Sequence, residues 1–239
     1  MTACKKTEPP YIHTLIGPEN KQGGLLICGI NHGYTIEDER KDNAGIDRSD
    51  EHKSFFSDIE VNDYPFRNRI ATSFELWGHK LHSDKQFAGM FEKSLIQTNW
   101  LNTVSRDFRN ADCRKTCIED HSDFIEVCTL LRPKLIFFFG SGLLPAFTSN
   151  ELKEKINPIF GEKIEETKWL QKDVVFEGTK RRRFKFGFQK YEGAMIVSCP
   201  HATGSQGLAN DYIAAFKPEM SQIISDWWQA HEKKLPDSI

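Results

Sequence analysis

The sequence lacks the marks of several large protein classes. None of its 239 residues belongs to an apolar run near the roughly 18 residues that a membrane helix needs. The opening stretch, Met1–Pro10, is polar and has no signal-peptide core. Six scattered cysteines do not form a disulfide framework and point to a reducing, intracellular setting, the cytoplasm with nucleoid or nucleus as the alternative. Charge of neither sign dominates, the formal net charge being −2, so a nucleic-acid partner has to be met by a local patch. There is no Gly-x-x-x-x-Gly-Lys phosphate loop and no glycine pattern of a dinucleotide-binding sheet. The Gly-x-Ser-x-Gly elbow of α/β hydrolases is also missing, which weakens a small-molecule hydrolase reading. No internal repeat or low-complexity segment stands out.

What is present suits a single packed α/β domain over 1–239, with 18 Phe and 5 Trp to build its core. The stretch around which it is organised is Gly24 to Gly33. Leu25 to Cys28 form a short continuous apolar run, which predicts a strand of about 24–30 buried on both faces, as in the centre of a parallel sheet. The run stops at Gly29 and then offers Asn31 between two glycines. Open α/β sheets take their ligands at the carboxyl ends of their strands. The same pattern also suits an ordinary turn.

Three further runs predict strands: one beginning at Leu95, one over 134–139 and one over 194–199. Periodicity predicts helices over about 66–81, 84–92 and 111–131, a polar helical segment over 151–168, and a last helix from 209 to 232 restarted at Pro218. Residues 1–22 read as a leader strapped over the surface. Residues 35–60 read as a long insertion loop, with Phe55 and Phe56 as anchors to the core or lining of a pocket. Residues 173–191 alternate and predict a β-hairpin. Its basic shoulder, with Arg181 and Arg182, is either a solvated turn or a phosphate contact.

Two strand ends carry polar side chains besides Asn31. The run from Leu95 breaks into Asn99 and Asn102, carboxamides able to satisfy buried backbone groups or to read the edge of a planar amide-like ligand. The last strand runs into Pro200-His201-Ala202-Thr203-Gly204-Ser205, a second polar loop at a strand's carboxyl end. Cys113, Cys117 and His121 fall four apart on one predicted helical face. That spacing matches neither zinc nor iron–sulfur sites, so the expectation is no metal and no cofactor.

Taken together, Asn31, Asn102 and His201 resemble the uracil-DNA glycosylase superfamily, most closely its mismatch-specific and single-strand-selective branches. Gly29-Ile30-Asn31-His32-Gly33 resembles the family's Gly-Ile/Met-Asn-Pro-Gly motif, with His32 in place of proline. Leu101-Asn102-Thr103-Val104 is similar to its Leu-Asn-Thr/Ala-Val segment. His201-Ala202-Thr203-Gly204 resembles its His/Asn-Pro-Ser-Gly/Pro motif, and Asn68-Arg69 resembles an Asn-Arg-Phe-Trp stretch. The resemblance spans about 23–216. It implies a three-layer α/β/α sandwich with a four-stranded parallel sheet of order 2-1-3-4. It also implies hydrolysis of the N-glycosidic bond of uracil or a related damaged base, flipped out of single- or double-stranded DNA by a monomer.

In that scheme Asn31 positions water and His201 stabilises the leaving base. Asn102 reads the base, and an aromatic of the Tyr64–Phe66 turn stacks on it. Thr203, Gly204 and Ser205 grip phosphate, and Leu208 is the wedge. A non-catalytic base- or nucleotide-binding module on the same fold is the alternative.

Overall fold

The computed structural model describes residues 12–31, 53–101, 113–176, 179–180, 184–203 and 205–235. In chain order the elements are β1 (Leu25–Gly29), α1 (Pro65–Leu76), α2 (Met90–Lys93), β2 (Leu95–Asn99), α3 (Cys113–Glu119) and α4 (Ser122–Leu131). They continue with β3 (Leu135–Phe139), α5 (Leu143–Phe147), α6 (Lys153–Phe160), β4 (Lys168–Leu170), β5 (Val175–Phe176) and β6 (Thr179–Lys180). The chain closes with β7 (Phe186–Lys190), β8 (Met195–Cys199), α7 (Asn210–Ala214) and α8 (Lys217–Glu232).

The main sheet is six-stranded and mixed, in the order β2-β1-β3-β8-β7-β4. Its first four strands are parallel, and β7 and β4 are added antiparallel. The expected four-stranded parallel sheet is therefore corrected to six strands. The expected hairpin over 173–191 is corrected too. Only β5 and β6 pair as a short ribbon, while β7 joins β8 and β4. Gly187 is the physical reason: a Cβ there would lie 2.7 Å from Leu144 and 2.8 Å from Trp169, so the missing side chain lets β4 close on β7.

Every residue of β1 and β3 is buried. Alternate side chains feed two cores, because successive residues of a strand point to opposite faces. Leu26, Cys28, Ile136, Phe138 and Ile196 pack with Phe124, Val127, Leu143 and Phe147 from α4 and α5. Leu25, Ile27, Phe137 and Val197 pack with Ile70, Phe74, Tyr212, Phe216 and Ile224 from α1, α7 and α8 or their flanks. Helices thus cover both faces, and β1, between β2 and β3, is where the strand order reverses. Such a reversal opens a crevice at the strands' carboxyl ends.

Helix boundaries differ from expectation for local reasons. α1 stops at Leu76 because Gly78, at φ 92°, closes it: Gly78 N–H donates to the Glu75 carbonyl and His79 N–H to that of Phe74. In place of a helix over 84–92, a turn at Asp84 leads to the short α2, whose Glu92 accepts from Gly89 N–H at 2.9 Å. The helix of about 111–131 is two, α3 and α4, divided at Asp120–His121. Pro158 sits inside α6, which ends at Gly161, φ 78°. The last helix, by contrast, restarts as expected, with Pro218 in the first turn of α8.

The leader's described part straps the outer edge of β2. Ile12 bridges Thr98, and His13 N–H donates to the Gln97 carbonyl at 2.9 Å. Phe56 is wholly buried in the α1-side core, so the described end of the insertion is anchored. Among the described residues no helix is long and apolar enough to cross a membrane.

Candidate active site

The carboxyl ends of the four parallel strands bring a compact set of side chains together. β1 and β2 run in register, with Gly29 opposite Asn99. A Cβ added at Gly29 would overlap Asn99 Oδ1 and lie 3.4 Å from the Phe66 ring. Gly29 therefore leaves the space in which a carboxamide and an aromatic face meet. Phe66, in the first turn of α1, stands edge-on to Phe139 at the end of β3, with ring centroids 5.9 Å apart at 78°. It also lies 6.1 Å from the His201 ring, tilted by 56°. An asparagine, an aromatic ring and a histidine from three separate elements thus surround the end of β1.

His201 follows β8 and is half-buried. Burial lowers its pKa, which keeps the ring neutral at neutral pH. Thr203 N–H donates to His201 Nδ1 at 3.3 Å. An accepting Nδ1 leaves the ring proton on Nε2 and makes that nitrogen a donor.

Asn31 lies two residues beyond Gly29 and is half-buried. The backbone around it is tied across the strands: Trp100 N–H donates to the Gly29 carbonyl and Leu101 N–H to that of Ile30. Trp100 anchors this tie, stacked on Phe124 at 4.0 Å and donating from Nε1 to the Cys117 carbonyl at 2.9 Å. Asn102 lies outside the described residues, as do Arg181, Arg182 and Gly204.

The two aromatics of the Tyr64–Phe66 turn have different positions. Tyr64 caps α1, and its hydroxyl donates to Gln97 Oε1 at 2.5 Å, two residues before Asn99 on β2. Burial pushes its pKa up to about 12. Phe66 is the one beside Gly29 and His201. Asn99, which the sequence offered without ranking above Asn102, is a described carboxamide that faces Gly29. Its partner in the strap, His13, carried no signal in the sequence.

In the last loop Thr203 is exposed and Ser205 half-buried. Leu208 is half-buried against the α1-side core, and its carbonyl accepts from Arg69 Nη2, while Arg69 Nη1 donates to Asn210 Oδ1. Beneath the loop, Arg69, Trp77, Phe139, Ala202 and Leu208 line an almost filled apolar crevice of about 10 Å³. A larger surface hollow of 450 Å³ runs along α8 at Lys217, Ser221 and Gln222. Lys217 and Ser221 adjoin Gly78, at the end of α1 away from Phe66, so the larger hollow lies apart from the strand-end cluster.

Cys113 Sγ and Cys117 Sγ lie 3.8 Å apart and buried, whereas His121 Nδ1 bonds the Ile118 carbonyl. Among the described residues no three His, Cys, Asp or Glu side chains form a metal-binding group. No protein-family model matches the sequence, and no curated protein matches it.

Proposed function

We propose that this protein is a DNA glycosylase that hydrolyses the N-glycosidic bond of uracil or a related damaged base in a flipped nucleotide. The observation that carries the reading is the meeting of neutral His201, Asn99 and Phe66 around Gly29 at the strand ends. Helices on both faces of the sheet are also what the three-layer α/β/α sandwich of such enzymes needs.

Each residue has a task. Phe66 supplies a face on which a flipped base stacks, in place of the stacking the base loses on leaving the strand. Asn99 reads the base edge, since its carboxamide offers one acceptor and one donor side by side. Asn102, to which the resemblance gives this task, lies outside the described residues, and Asn99 is the described carboxamide that faces Gly29 beside the same aromatic ring.

Asn31 positions the attacking water. A carboxamide is a feeble base, so the bond to the base must be largely broken before water adds. The electron pair of the C1′–N bond leaves with the base, and water oxygen adds to C1′. The water's proton passes to solvent. Negative charge gathers on the departing base, and the Nε2–H of neutral His201 donates to its carbonyl oxygen. Such donors are worth roughly 10²–10³ in rate.

The DNA contacts are Thr203, Gly204 and Ser205 on phosphate, Leu208 as the wedge, and Arg181 and Arg182 on the backbone. The protein acts as a monomer in a reducing interior. A net charge of −2 gives little general attraction to duplex, which favours single-stranded substrate.

The second reading is a module that binds a base without cutting it. The absence of an Asp or Glu at the described strand-end site favours it, because Asn31 alone activates water weakly. Labelled oligonucleotides carrying one uracil, single- and double-stranded, separate the two after alkali treatment. The glycosylase reading expects a cut at uracil that Asn31→Ala abolishes without loss of folding. Binding without a cut in the wild type moves the assignment to the second reading.

A further inference from the structure

We propose that Arg67 and the N-terminal turn of α1 form a binding site for a phosphate group, beside the strand-end cluster. The site does not depend on the glycosylase reading. Arg67 is 4% exposed, and its Nε and Nη2 have no hydrogen-bond partner. These two nitrogens share one edge of the guanidinium. That edge is the fork which binds two oxygens of one oxyanion side by side. The remaining nitrogen, Nη1, is engaged with Asn68 Oδ1 at 2.8 Å. Asn68 Nδ2 in turn donates to Asp63 Oδ1 at 2.7 Å.

The helix end adds further donors. α1 runs for 12 residues, begins at Pro65 and receives no side-chain cap from Tyr64. Asn68 N–H is the first to reach back, to the Tyr64 carbonyl. The N–H groups of Phe66 and Arg67 therefore have no acceptor within the helix. The first turn also holds no acid, although the helix dipole favours one there. A buried cation at that positive end reverses the usual choice. An anion bound against both would match the fork and the helix end together.

Two carboxylates lie near the guanidinium, those of Asp63 and Asp58. Asp63 is engaged with Asn68, and Asp58 with Ser54 Oγ, the Glu60 N–H and Lys85. They temper the charge without occupying the fork, so directed bonds rather than field alone hold the ligand. Asp63 is exposed and Asn68 half-buried. The guanidinium thus lies one side chain below the surface, and a small anion has that side chain to move rather than the core. A tetrahedral phosphate gives two oxygens to the fork and keeps a third for the helix N–H groups. A planar carboxylate has only two. Because Arg67 directly follows Phe66, the phosphate is either the free ion or one carried by a nucleotide whose base meets that ring.

The test titrates inorganic phosphate and deoxyuridine monophosphate into wild type, Arg67→Met and Arg67→Lys, at constant ionic strength in a buffer otherwise free of phosphate. Two readouts are followed: Tm, and the Arg67 Nε–H signal in ¹⁵N spectra, assigned with Arg67→Met. Inorganic phosphate is expected to raise the wild-type Tm with the logarithm of its concentration and to shift the Nε–H signal. Arg67→Met loses the rise in Tm. Arg67→Lys keeps the charge but not the fork, and is expected to bind about tenfold more weakly, the size of one charge-assisted hydrogen bond. Tighter binding of the monophosphate than of inorganic phosphate assigns the site to a nucleotide, and equal binding assigns it to the free ion. An equal response to phosphate in wild type and a folded Arg67→Met would overturn the site. So would a wild type whose Tm and Nε–H signal ignore both probes. Wild-type affinity in Arg67→Lys would overturn the fork.

Discussion

Arg67 is 4% exposed, and its Nε and Nη2 meet no hydrogen-bond acceptor. Nη1 alone is engaged, donating to Asn68 Oδ1 at 2.8 Å. Burial lowers the pKa of the guanidinium, opposed by the nearby Asp63, Tyr64 and Asp58. Each unmatched buried donor costs on the order of 1–3 kcal/mol. Arg67→Met keeps the unbranched stem and removes the donors, so stability is expected to rise by about 1 kcal/mol, or roughly 2–4 °C in Tm. A lower Tm would mean that the field on buried Asp58 outweighs the unmatched donors. The same scale shows what single residues reveal before folding. Asn31 and His201 stand out because each follows an apolar run directly, at a strand end. Asn99 and Asn102 cannot be ranked that way. That Asn99 faces Gly29 follows from the pairing of β1 with β2, a relation between strands that neither carries alone.

α1 holds Phe66 to the site through its first turn and ends on Gly78 at its last. At φ 92° a side chain is strained, and a Cβ there would also meet Lys217 at 3.4 Å. Gly78→Ala is therefore expected to cost about 1–2 kcal/mol. Chemical denaturation measures that loss, with an unchanged m-value if the fold survives. An unaffected midpoint would mean that the helix end rearranges freely.

Elements were legible in the sequence in proportion to the length and uniformity of their patterns. The parallel strands were plain, because each is a short continuous apolar run of a kind that only a doubly covered sheet needs. Strand β4 was not, since Lys168–Leu170 is three residues long, mostly exposed and without a period. It forms because Gly187 leaves room for Trp169. Helix ends were missed where one residue's backbone conformation decides them, as at Gly78 and Gly161. Periodicity is silent about such positions.

Across the molecule, three histidines on different elements share one electrostatic state. His79 lies beyond the end of α1, His201 follows β8, and His231 is in the last turn of α8. Burial lowers the pKa of each, with the bonds of His79 to the Ser221 carbonyl and of His231 to that of Glu19 opposing it. His231 also stacks on Trp227, with ring centroids 5.3 Å apart, which binds the C-terminal helix to the turn before β1 through Trp227 Nε1 and the Gly23 carbonyl. In the unfolded chain all three take up a proton near the ordinary histidine value of about 6.5. In the fold they take it up only at lower pH. Between those limits the unfolded state binds more protons, so stability rises with pH. The stabilisation is complete above about pH 6.5 and is lost as pH falls through the folded values. Melting followed from pH 7.5 downward is expected to be flat at first and then to decline below about 6.5. His231→Gln, which keeps a donor for the Glu19 carbonyl, should make that decline shallower. His201→Gln should do the same and, under the glycosylase reading, slow excision at every pH. An acid slope identical in wild type and His231→Gln would show that the unfolded and folded chains bind the same protons at that ring, and would place the acid sensitivity elsewhere in the molecule.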